Sequence, residues 1–298
     1  MTSRFPEGSV LHAFEAKIRR ALHEDDTSGI VVLGYGEVTT VFAIDDEWAC
    51  KRMPGFSSTP DAEACADVIR RYVSALADVG VDVLPTKVHV IESTDGTPVV
   101  YCVQPRLEPS VLGPTRMRSA DLDVALRDLD RILDAMRGSV SQRLAPDGQL
   151  SNWAFVGERI FYLDVSSPFL RDEKGRDLLD WDQYLRSMPS PLRPIAKRWV
   201  VPHILDKYFT LRGQVVDLLG NLQKERLETL NEPFRNHINE RWKLDPPITQ
   251  AEVDAYYASD ARTYAMLQGA RRLDRWVQRR LLRRDYPYFL PPAIDRNV

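Results

Sequence analysis

Cysteine is scarce in this 298-residue chain, which carries only Cys50, Cys65 and Cys102. Three residues without paired spacing exclude a disulfide framework and a cysteine-based zinc site, and a reducing, cytoplasmic setting is the expectation. Long apolar runs are missing as well. No stretch approaches the roughly 18 residues of a membrane-spanning helix, and the opening residues Met1-Thr2-Ser3-Arg4-Phe5-Pro6-Glu7 have no apolar signal core, so no membrane partner is expected. Neither sign of charge dominates, with 40 Lys and Arg against 43 Asp and Glu and a formal net charge of −3. That balance gives no basis for sequence-independent nucleic-acid binding. Low-complexity segments and internal repeats are also lacking, which argues against disorder and against a solenoid. What is present is 44% hydrophobic and 28% charged, an ordinary globular composition in a chain long enough for two lobes with separate cores.

The order of local patterns is informative. Leu11, Phe14, Ile18, Ala21 and Leu22 fall at helical spacing, so a short amphipathic helix leads the chain. Three β-prone runs follow, at residues 30–33, 41–44 and 48–51, separated by glycines and by Asp45-Asp46-Glu47. A helix is predicted from about Thr59, read as its N-cap, to Ala77, with Pro60 in the first turn. Two further strands, 87–92 and 98–104, flank the turn Ser93-Thr94-Asp95-Gly96. After Pro105 the pattern is mainly helical: residues 119–138, then a hairpin around Gly157-Glu158, then long helices over 205–232 and 250–284. Aromatic residues of this half, among them Trp199, Tyr208, Phe209, Trp242, Tyr256, Trp276 and Tyr286, are read as core. The arginines clustered from Arg271 to Arg284 are read as a solvated helix face.

Three groups of residues could carry chemistry. Gly34-Tyr35-Gly36 lies inside a strand-turn-strand, where the lack of Cβ lets backbone amides approach an anion. The same glycines also suit a plain hairpin turn. Lys51 ends a strand about 15 residues past Gly36, and a lysine beneath such a turn can neutralise phosphate charge; a solvated strand-end lysine is the simpler reading. Glu63 and Asp67, four apart on the next helix, share a face, and either can hold Lys51 by an ion pair or merely solvate the helix. The third group is Asp147 to Asn152, then the hairpin, then Asp164. Oxygen ligands from Asn152 and Asp164 suit Mg²⁺ when phosphates complete the shell. Asp147 then faces an acceptor hydroxyl as base or orienting group. Singly, each also suits a turn cap.

Taken in order, these features resemble the protein kinase and aminoglycoside phosphotransferase superfamily over residues 28–170. The Asp147-x-x-x-x-Asn152 spacing matches its catalytic loop, and Asp164 stands where its metal-binding aspartate stands. The resemblance implies a bilobal α+β fold, with a five-stranded antiparallel N-lobe over residues 1–104 and a helical C-lobe over 105–298. It also implies ATP and Mg²⁺ as cofactors, and a hinge at residues 101–106 where backbone near Gln104 and Arg106 meets adenine. The sequence departs from the family at Thr39, where a third glycine often sits, at Ala145, and at Val165-Ser166. It also lacks an Ala-Pro-Glu segment. These departures point away from protein substrates and towards a small-molecule acceptor. A nucleotide-binding interaction module and an enzyme that transfers AMP are the alternatives.

Overall fold

The computed structural model describes residues 4–36, 39–186, 190, 193–195, 197–198 and 205–291. The first half is a five-stranded antiparallel sheet between two helices. Helix α1 (Gly8–Glu24) precedes β1 (Val31–Tyr35), β2 (Thr40–Ala43) and β3 (Trp48–Arg52); α2 (Thr59–Asp78) follows, then β4 (Lys87–Glu92) and β5 (Pro98–Pro105). The strand order is β1-β2-β3-β5-β4. Ser58 rather than Thr59 caps α2, its hydroxyl accepting the Asp61 amide at 3.3 Å, which places Pro60 in the first turn as expected.

Alternation along the strands decides what each face meets. Val99, Tyr101 and Val103 of β5, with Phe42 and Cys50, pack against Leu11, Phe14 and Ile18 of α1. Val100 and Cys102 face the other way, into the core shared with Ala62, Ala66 and Ile69 of α2. The same two-residue period separates Arg52 from Lys51 on β3. Arg52 turns to α1, where Nε and Nη2 each donate to the Glu15 carboxylate at 2.7 Å, and the Tyr101 hydroxyl donates to the same group. Burial alone would raise the Glu15 carboxyl, but Arg52 and Tyr101 hold it below the usual range. Removing one member of such a buried pair leaves an uncompensated charge. Glu15→Ala is therefore expected to cost about 3–5 kcal/mol, read as a lower urea midpoint.

The second half is mainly helical. It begins with α3 (Gly113–Ser119) and α4 (Leu122–Ser139) and continues through four short strands: β6 (Leu144–Ala145), β7 (Trp153–Val156), β8 (Arg159–Tyr162) and β9 (Phe169–Leu170). β7 and β8 form the expected hairpin, turning at Gly157 with φ 58°. Beyond α5 (Trp181–Leu185) lie α6 (Leu211–Lys224), α7 (Asn231–Trp242) and α8 (Gln250–Trp276). The helix expected over 205–232 is interrupted. Arg226 adopts φ 57°, and the Leu227 amide folds back to the Leu222 carbonyl at 2.8 Å, which lets Leu227 enter the core before α7 starts. α8 loosens after Trp276 into a wider turn to Leu281. Its end returns to the sheet half. Arg279 donates to the Leu22 and His23 carbonyls, both at 2.9 Å, and Phe289 packs edge-on to Phe42 at 5.3 Å.

Of the aromatics read as core, Tyr208, Phe209, Trp242 and Tyr286 are buried and Tyr256 is half-buried, whereas Trp276 is 53% exposed. Trp199 lies outside the described residues.

Candidate active site

The site forms where the sheet half meets the hairpin. Lys51, on the face of β3 opposite Arg52, reaches across to Asp164, with Nζ 2.8 Å from Oδ1. Both side chains are mostly buried, at 18% and 16% exposure. Burial pushes the Asp164 carboxyl up, but the Lys51 ammonium and the Ser166 hydroxyl and amide outweigh it and hold it below the usual range. Asn152 stands at the other strand of the same hairpin end, because the Leu163 amide donates to the Asn152 carbonyl at 2.9 Å and continues the ladder by one step. The Asn152 amide group has no side-chain partner among the described residues.

The ion pair expected between Lys51 and Glu63 or Asp67 does not form. Both acids are more than half exposed and pair with Arg70, Asp67 at 2.6 Å and Glu63 at 3.6 Å. The core face of α2 presents Ala62, Cys65, Ala66 and Ile69 instead, so the helix offers Lys51 no carboxylate. Arg106 is also drawn away from the cleft. Its amide donates to the Glu47 carbonyl at 2.7 Å and its guanidinium to the Asp45 carbonyl at 3.1 Å, both in the turn between β2 and β3. Gln104 spends its side-chain amide on Thr86 Oγ1 at 2.9 Å and the Leu163 carbonyl at 3.0 Å, tying β5 to the residue before Asp164.

Gly34 and Tyr35 end β1 beside an irregularity in its pairing with β2. The Gly36 amide donates to the Thr39 carbonyl at 2.8 Å, and a Cβ on Gly36 would stand 3.0 Å from that oxygen, a tight contact that a side chain there would have to relieve by shifting the turn. Glu37 and Val38 lie outside the described residues.

Asp147 is held from three sides. Its amide donates to the Tyr162 hydroxyl at 3.0 Å, and the Tyr72 hydroxyl donates to the Ala145 carbonyl at 2.8 Å. From α6, Gln214 accepts the Gly148 amide at 2.7 Å and donates to the Pro146 carbonyl, gripping the peptides on either side of Asp147. A side chain at Gly148 would collide with that grip, at 2.8 Å from Gln214 Oε1. Burial, then the charge of Asp217, pushes the Asp147 carboxyl up to about 8, although the Gln149 amide and Lys207 oppose this.

Sequence reading missed this supporting group. Asp217 is fully buried on α6, and its Oδ1 accepts from Lys207 Nζ at 2.8 Å and from the Tyr256 hydroxyl. A signal existed: Asp217 is a lone acid inside the apolar run Val215-Val216-Asp217-Leu218-Leu219, and a buried carboxylate needs a partner.

An antiparallel five-stranded sheet backed by a helix and a helical second half make an α+β fold, in which a strand lysine pairs with an aspartate after a hairpin. The chain belongs to a family of unknown function, DUF6206, whose model matches residues 13–275. No curated protein matches it. Among solved structures it is similar to the GDP complex of wild-type aminoglycoside 2'-phosphotransferase-IIIa, with 13% identity, 84% of this chain and 99% of that chain covered, and a TM-score of 0.31. It is also similar to the GDP and kanamycin complex of APH(2")-IIia, with 12% identity, 72% and 92% covered, and a TM-score of 0.29. At these TM-scores the superposition carries no argument, and the α+β class rests on the chain's own strands and helices.

Proposed function

We propose that the chain is a phosphotransferase that uses ATP with Mg²⁺ and a small-molecule acceptor. The observation that supports this most is the Lys51–Asp164 ion pair across the two halves, with Asn152 at the same hairpin end. In this reading Lys51 neutralises phosphate charge, the Gly34–Gly36 turn approaches the phosphates, and Asp147 orients or deprotonates the acceptor hydroxyl.

The donor set fits a hard divalent cation. One carboxylate and one amide oxygen suit Mg²⁺, which takes few protein ligands when phosphates supply others. Among the described residues no group of three or more His, Cys, Asp or Glu could hold a metal without them. Asp164 and Asn152 would hold the ion, which would neutralise charge on the transferred phosphoryl group.

ATP with Mg²⁺ is expected to raise the melting temperature by about 5 °C at saturation, more than ATP alone, and Lys51→Ala to remove the shift. Absence of any nucleotide effect would contradict the proposal. A second reading, a nucleotide-binding module without turnover, draws on the lack of an α2 carboxylate for Lys51. It expects the thermal shift without phosphate release.

A further inference from the structure

α8 presents an apolar and cationic face that nothing in the chain covers among the described residues. Its inner side is fixed by Val253, Ala261, Gln268 and Arg271, all buried. The opposite side carries Met266 at 62% exposure, Leu273 at 59% and Trp276 at 53%, followed by Leu281 at 63% and Leu282 at 53%. A Cβ on Gly269, within this stripe, would meet nothing within 4 Å. Large apolar side chains clustered this way exceed the scattered exposure of ordinary surfaces.

Most of the exposed charges beside the stripe are arginines, with Asp274 the acid between Leu273 and Arg275. Arg262, Arg272, Arg280, Arg283 and Arg284 are exposed beside it. Arg280, Arg283 and Arg284 have no ion pair among the described residues. Of the acids nearby, Asp25 pairs with Arg275, Asp285 contacts the His23 ring, and Asp274 accepts from the neutral Gln278 amide and keeps its charge. Glu24 and Asp26, at the end of α1, are exposed and lessen the local positive potential without lying on this helix.

We propose that this face docks on an anionic lipid bilayer, with Trp276, Leu273, Leu281 and Leu282 entering the interface and the arginines meeting headgroup charge. An interfacial helix of this kind combines aromatic and aliphatic residues on one side with flanking cations. A second copy is disfavoured, because pairing like faces would bring together two sets of arginines that outnumber Asp274 and Asp285 beside them. A helical partner fits less well at the tip: Leu281 and Leu282 are consecutive, so they project in different directions, and a groove one helix wide covers only one of them. A planar phase takes both. The expectation of no membrane partner rests on the lack of a spanning stretch and of a signal core, and interfacial docking uses neither. Among the described residues no helix is long and apolar enough to cross a bilayer, and the docking face needs none.

The test is flotation of the full chain with vesicles of phosphatidylcholine alone and with about 30% phosphatidylserine. The chain is expected to float with the anionic vesicles only, and to be released when salt is raised from about 0.1 M to about 0.5 M. Arg280→Glu with Arg284→Glu is expected to lower partitioning by about 25-fold or more, since each surface arginine contributes about fivefold. Trp276→Ser with Leu281→Ser is expected to lower it to a similar degree. All four side chains are exposed, and unchanged melting temperatures confirm that the variants fold. No flotation, equal flotation with both vesicles, or flotation indifferent to the variants would overturn the proposal. So would concentration-dependent dimerisation that the Trp276→Ser, Leu281→Ser variant abolishes in the absence of flotation.

Discussion

Asp164→Ala is expected to lower Mg²⁺-dependent phosphate release from ATP by about 10³-fold, the scale set by losing one fixed charge-stabilising group at a reacting phosphoryl. The fold should survive, because the substitution frees Lys51 rather than opening a cavity. Lys51 keeps 18% of its side-chain surface, enough for the ammonium to take up water. Far-UV circular dichroism should be unchanged and the melting temperature should move by a few degrees at most. Asp82→Ala is the control, since that carboxylate is 48% exposed and pairs with Arg159 on the outside of the hairpin; its turnover should equal that of the unaltered chain. Equal turnover in Asp164→Ala would remove the proposed metal-binding role.

Asp147 gives an effect of similar size, with a pH dependence. Its carboxyl is pushed up to about 8, first by burial and then by Asp217, so at neutral pH it largely holds its proton. If the group acts as a base, turnover should rise about tenfold per pH unit below 8 and level off above. Asp147→Asn should lower turnover by about 10³-fold at any pH. Stability moves the other way. An unfolded aspartate is ionised above about pH 4, whereas the folded one keeps its proton up to about 8. The unfolded state therefore binds fewer protons across this window, and stability falls as pH rises through it. The Asn variant escapes that penalty. It should be more stable than the unaltered chain at pH 8 by up to about 5 kcal/mol, the linkage of a shift of about four pH units, with a smaller difference at pH 5. A flat rate profile from pH 6 to 9, or an Asn variant less stable at pH 8, would contradict this account of the site.

The sheet half was legible because alternation is a local property. Once Trp48, Cys50 and Arg52 take one side of β3, Lys51 takes the other, and the pattern of β5 repeats the division. The hairpin before Asp164 was legible for the same reason, its turn being written in Gly157-Glu158.

Helix faces carried the error at Glu63 and Asp67. Their spacing put them together, as expected, but the stripe of Ala62, Cys65, Ala66 and Ile69 put the core on an adjoining face. The acids thus look to Arg70 and solvent. Reading the whole wheel, including its alanines and its cysteine, would have separated the two faces.

Gln214 and Asp217 lay beyond local reading. Their partners, the peptides beside Asp147 and the side chains of Lys207 and Tyr256, come from segments joined only by packing. Arg106 is similar: its destination, the β2–β3 turn, depends on strand register and on no motif. Trp276 was misread because aromatic residues usually pack inward, whereas α8 already fills its buried side with Val253, Ala261, Gln268 and Arg271.

The most direct test of the central claim is a crystal grown with Mn²⁺ and a non-hydrolysable ATP analogue, the metal located by anomalous scattering. The account expects one metal peak in contact with the Asp164 carboxylate and the Asn152 amide oxygen at about 2.1 Å, the phosphates beside it and Lys51 withdrawn from Asp164 towards them. A nucleotide bound elsewhere, with the Lys51–Asp164 pair intact and no metal at the hairpin end, would contradict it.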